Sequence, residues 1–159
     1  MRAVSFLLAL TMSAVTVQAQ TADSAALPSI TLPPALARVL TDYETQWRFG
    51  GDSLVKLFTE DAVLTVGGKP PARGRAAIGA HYAGPKGPLA LRAIAYAAEG
   101  DIAYIIGGYA SSRGEPDIGK FVLTLKKGPS GRWMIFSDMD TGNSAPQRRP
   151  SPPLAHATS

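Results

Sequence analysis

Gly119-Lys120-Phe121-Val122-Leu123-Thr124-Leu125-Lys126-Lys127-Gly128-Pro129-Ser130-Gly131-Arg132-Trp133-Met134-Ile135-Phe136-Ser137-Asp138-Met139-Asp140 decides the fold. Phe121, Leu123 and Leu125 alternate with Val122 and Thr124, and a period of two is the mark of a strand. Gly128 to Gly131 then supplies turn chemistry, and a second β-prone run follows from Arg132 to Asp140. Two strands joined by so short a glycine- and proline-bearing turn read as an antiparallel hairpin.

The same period extends upstream over Leu89–Ala98 and Ile102–Ser111, linked by Glu99-Gly100-Asp101, with a loop from Gly114 to Asp117 before Gly119. Ahead of these strands the spacing lengthens. Leu36, Val39, Leu40, Tyr43 and Trp47 recur at steps of three and four, which predicts a helix of about four turns with Pro34 in its first turn. Gly50-Gly51 stops it. Asp52 is placed to cap a second, short helix carrying Leu54, Leu57 and Phe58. Ala62–Val66 reads as a strand ended by Gly67-Gly68, and a third helix is expected from about Ala76 to Tyr82. The order helix, helix, strand, helix, four strands gives an α+β domain with three helices over a curved antiparallel or mixed sheet. Tyr104 and Ile106 alternate with Ile105 and Tyr109, so both sheet faces carry apolar side chains, one to meet helices and one to form a dimer surface.

The chain has 159 residues, 45% of them apolar, and no cysteine, which excludes thiolate nucleophiles, disulfide scaffolds and cysteine-ligated metals. Met1-Arg2 followed by an apolar run to Val17 and by Val17-Gln18-Ala19 reads as a signal peptide, 1–19, cleaved after Ala19 to give a periplasmic or secreted protein. Residues 20–33 read as a linker and 144–159 as a disordered proline-rich tail, which leaves 34–143 as the domain. The domain carries 13 Lys and Arg against 11 Asp and Glu with no clustered basic stripe, so no nucleic-acid partner is expected, and none in the membrane once the leader is removed.

Leu57-Phe58-Thr59-Glu60-Asp61-Ala62, Gly74-Arg75-Ala76-Ala77-Ile78, Asp101-Ile102-Ala103-Tyr104-Ile105-Ile106-Gly107, and Gly119 to Leu123 leading to Gly131-Arg132-Trp133-Met134-Ile135 and Ser137-Asp138-Met139-Asp140 carry a resemblance when taken in order. The domain resembles the nuclear transport factor 2-like superfamily, and within it the SnoaL-like proteins of unassigned function. The resemblance implies a cone-shaped domain, a pocket between bent sheet and helices, and a homodimer. It does not fix an activity, because this fold hosts isomerases, dehydratases, cyclases, hydrolases and binding modules. Ketosteroid isomerases of the superfamily carry their general-base carboxylate in the first strand, where this chain has Leu64-Thr65-Val66-Gly67. Related cyclases place an acid late in the chain, where Asp138 stands.

Asp138 and Asp140, two apart on the last strand, share a face. Desolvated together in a pocket they would repel, and one would become a general base near neutrality; at a solvated strand end they would do neither. His81, the one histidine of the domain, is a candidate acid–base partner or a surface residue, and alone it cannot build a zinc site. Tyr43, Trp47 and Tyr82 offer aromatic faces and hydroxyls to a ligand, or fill the core. Two motifs lack their context. Gly51-Asp52-Ser53-Leu54 is not preceded by a strand, and Gly114 to Lys120 runs into Phe121 and a strand instead of a phosphate-binding helix. The expectation is an exported domain that binds a small, mostly apolar organic molecule without a cofactor. The alternative is a cofactor-free lyase, isomerase or hydrolase with Asp138 as general base.

Overall fold

The computed structural model describes residues 27–143. The leader and tail read from the sequence lie outside the described residues. Helix α1 (Pro34–Trp47) buries Leu36, Val39, Leu40 and Tyr43, with proline at its start where the missing N–H costs nothing. Gly50, at φ 83°, takes a left-handed turn closed to other residues, and α2 (Gly51–Leu54) and a 3₁₀ turn (Val55–Leu57) follow. Asp52 does not cap α2: it falls inside the first turn, Gly50 holds the cap position, and no side chain caps it. Helix α3 (Gly74–His81) opens two residues earlier than its apolar spacing suggests, at Gly74, whose φ of 80° turns the chain out of the strand before it.

Among the described residues six strands form one sheet: β1 (Phe58–Val66), β2 (Ala72–Arg73), β3 (Ala90–Glu99), β4 (Ile102–Ala110), β5 (Gly119–Lys127) and β6 (Trp133–Gly142), in the order β2-β1-β6-β5-β4-β3. The last four make an antiparallel meander, while β1 lies parallel to β6. The sheet is therefore mixed and the architecture α+β. Register shifts at Phe58/Val63, Ala93/Ala95 and Thr124/Leu125 bend it, as extra residues on one strand of a pair do. The first of these shifts explains why β1 begins at Phe58 although its period of two is clear only from Ala62.

Residues 27–33 correct the reading of 20–33 as a linker in the part that is described. Leu32 is 9% exposed and joins the core, the Ile30 N–H donates to the Ala93 carbonyl at 3.0 Å, and Arg92 Nη1 donates to the Leu27 carbonyl at 2.7 Å. Proline-punctuated composition marks extended backbone, and an extended segment can still lie on a sheet edge and offer one apolar side chain.

The face toward the helices is the core face. Leu64, Asp138, Leu123 and Ile105 are register partners across β1, β6, β5 and β4, and all are at most 2% exposed. Three of these four positions are aliphatic and the fourth is a carboxylic acid. The opposite face leaves Ile102, Tyr104, Ile106 and Met139 between 38% and 58% exposed.

Candidate functional site

Asp138 is the only buried charged or polar residue of the described core, and its surroundings set its chemistry. Helix α1 brings the Tyr43 hydroxyl to donate to Asp138 Oδ2 at 2.9 Å. The end of α3 brings the Tyr82 hydroxyl to the same oxygen at 3.3 Å, and the two hydroxyls lie 3.2 Å apart. A phenol has one proton to give, so with Asp138 ionised both are committed to Oδ2 and the Tyr43–Tyr82 contact carries no proton. Oδ1 accepts no hydrogen bond among the described residues, yet no fully buried side-chain oxygen there lacks a partner. Oδ1 is thus not sealed in. It opens on a cavity of about 200 Å³ that Asp138 lines.

Burial pushes the Asp138 carboxyl up from 3.8 to about 7, the neighbouring Asp140 charge adds to the rise, and the hydrogen bonds from Tyr43 and Tyr82 hold it back. Burial also raises both tyrosines, the Asp138 charge reinforcing it, which keeps their hydroxyls protonated as donors. Asp140, register partner of Phe121 and half-buried at the cavity wall, is raised by burial and drawn back by the charge of His81.

The aromatic wall follows from the helix spacing. Tyr43 and Trp47, one turn apart, stack with centroids 6.2 Å apart, and Trp47 meets Tyr82 edge-on at 5.6 Å. Trp47 Nε1 donates to the Gly87 carbonyl at 2.9 Å, which ties the loop after α3 to α1. Leu89, Leu91, Ile118, Phe121 and Leu123 complete an apolar lining.

Five of the six residues singled out from the sequence meet here: Tyr43, Trp47, Tyr82, Asp138 and Asp140 all line the cavity. His81 does not. Its ring packs edge-on against Tyr82 with centroids 5.1 Å apart, and it reaches the site through its charge on Asp140. Sequence reasoning missed Tyr109, a half-buried cavity residue whose hydroxyl is raised by burial and by Asp140 and Asp138. Strand parity with Ile105 was the available signal. Among the described residues no three His, Asp or Glu side chains gather in a metal-holding group, and no helix is long and apolar enough to cross a membrane.

No protein-family model and no curated protein matches this sequence. Solved structures do match in shape. A ketosteroid isomerase-like protein from Erwinia carotovora atroseptica is 18% identical, with 70% of this chain and 92% of that one covered and a TM-score of 0.54. A putative calcium/calmodulin dependent protein kinase II association domain from Xanthomonas campestris is 16% identical, covering 77% and 94%, at a TM-score of 0.55. A nuclear transport factor 2-like protein with a cystatin-like fold from Novosphingobium aromaticivorans is 20% identical, covering 71% and 82%, at 0.51. These likenesses bear on architecture, and together with the bent mixed sheet beneath three helices they show that the chain has the nuclear transport factor 2-like fold.

Proposed function

We propose that this is an exported, homodimeric domain that binds a small, mostly apolar organic molecule in the cavity between α1 and the sheet. One observation carries the reading: an apolar, aromatic-walled cavity of about 200 Å³ ends on a single buried carboxyl whose second oxygen is open to it. Concave sites with few convergent polar groups are the usual form of a small-molecule site. Below its pKa the Asp138 carboxyl donates a hydrogen bond from Oδ1, and above it Oδ1 accepts one. Leu89→Trp tests this by filling the cavity from its half-buried wall. Native mass spectrometry of the protein purified from its own cells is expected to show a small-molecule adduct on the unmodified chain and none on the variant. Equal adducts on both would refute the assignment, as would failure of any compound in an extract of those cells to bind.

A second reading is favoured by the carboxyl at about 7, flanked by two committed donors. A base titrating near the working pH is matched to proton abstraction, and Asp138 would then serve a cofactor-free lyase, isomerase or hydrolase. It predicts solvent deuterium incorporation into a bound carbonyl compound that Asp138→Asn abolishes; persistence of exchange in the variant would remove Asp138 from that role.

A further inference from the structure

The cavity lining has an imbalance of charge. Its titratable members are two carboxyls, Asp138 and Asp140, and three phenols, Tyr43, Tyr82 and Tyr109. Among the described residues no lysine, arginine or histidine lines it. Buried acids are ordinarily matched by a cation or by donors for all their oxygens. Here the two available donors both go to Oδ2, and Asp138 Oδ1 and the neighbouring Asp140 are left at a cavity lined by aromatic and aliphatic side chains.

We infer that the cavity takes an organic ammonium ion, an amine or quaternary ammonium carried on a compact apolar or aromatic frame. This rests on the reading of the cavity as a ligand site and names the class of ligand. Two independent features support it. Carboxylates supply the counter-charge, and the rings of Tyr43, Trp47, Tyr82, Tyr109 and Phe121, which line the same space, carry quadrupoles of the kind that attract a poorly hydrated cation. The chain also offers an internal example of the second feature. Lys86, which does not line the cavity, holds its ammonium 5.0 Å from the Trp47 ring centroid and 5.4 Å from that of Tyr82. The apolar wall of Leu89, Leu91 and Leu123 accommodates the frame, so charge and hydrophobic surface are recognised at different ends.

Such a ligand couples to protonation. Facing Asp138 are Tyr43 from α1, Tyr82 from the end of α3, Tyr109 from β4 and Asp140 on β6 itself, with His81 acting through Asp140, while its register partners on β1 and β5 are the uncharged Leu64 and Leu123. A bound cation favours the ionised form of both acids, so it releases protons on binding and binds more tightly at pH 8 than at pH 5.

The test compares benzyltrimethylammonium with neopentylbenzene, its uncharged isostere, on the unmodified chain and on Asp138→Asn and Asp140→Asn separately. Tryptophan fluorescence in a Trp133→Phe background reports occupancy, since the Trp47 indole lines the cavity. The expected result at pH 8 is a preference for the ammonium of about tenfold or more, reduced in each variant and reduced at pH 5 in the unmodified chain. Circular dichroism checks that the variants fold, and the pH series on the unmodified chain decides the matter if they do not. Equal binding of both probes, or tighter binding of the neutral one, overturns the inference and leaves the apolar cavity as a ligand site. Binding of neither overturns both.

Discussion

Asp138→Asn keeps the shape of the side chain and removes its titration, and its effect on stability can be worked from the site. The folded-state pKa of about 7 stands above the ordinary 3.8, so folding disfavours the carboxylate. The stabilising contribution of the neutral acid is full below about pH 4, and it is lost as pH rises through about 7. A separation of about three pH units at about 1.4 kcal/mol each gives about 4 kcal/mol between the two limits. Urea unfolding followed by tryptophan fluorescence at pH 4 to 8 measures it. The unmodified protein is expected to lose stability relative to Asp138→Asn across that range, and at pH 8 the variant is expected to be the more stable of the two. A smaller slope of the same sign persists in the variant, because the Asp140 carboxyl is also raised by burial. Parallel pH profiles for the two proteins would refute the claim that Asp138 is desolvated in the folded state.

Tyr43→Phe removes the shorter of the two hydrogen bonds that restrain this pKa, and carboxyl NMR of Asp138 should then show a titration midpoint above that of the unmodified protein. Gly51→Ala places a Cβ against the Gly79 carbonyl where α2 crosses α3; a loss of about 1–3 kcal/mol in urea unfolding is expected, as for overpacking elsewhere, and an unchanged midpoint would contradict that close approach. Ile106→Glu puts a charge among the exposed Ile102, Tyr104 and Met139 of the outer sheet face. Light scattering should find the unmodified chain dimeric and this variant monomeric, and a dimeric variant would place the interface elsewhere.

The meander was legible because each of its strands carries its own period of two and its own turn residues, from Leu89 onward. Parity along β6 also made it plain that Asp138 and Asp140 share a face. Which face that was depended on partners far away in sequence. It is Leu64 on β1 and Ile105 on β4 that flank the row and carry Asp138 inward, and nothing local to Ser137-Asp138-Met139 specifies them. The parallel pairing of β1 with β6 was illegible for the same reason. Two-residue β2 is too short to show a period, and the attachment of Ile30 to Ala93 rests on one backbone bond that composition does not encode. Tyr43 and Trp47 were readable as aromatics one turn apart on the first helix, and Tyr82 as one at the end of the third. Their convergence on one carboxylate oxygen was a matter of tertiary geometry.

The place of β6 between β1 and β5 bears on how the molecule comes into being. Among the described residues the first strand pairs with the last, and Thr65 meets the Asp138 backbone across 73 residues of sequence. During synthesis β1 leaves the ribosome before the residues of β6, its partner on one edge, have been added. Contacts this remote in sequence slow the search for the native state, and any chain cut short before residue 133 lacks the strand that joins the two halves of the sheet. The acid of the cavity arrives on that same strand, so the chain gains its buried charge in the step that closes the sheet around it.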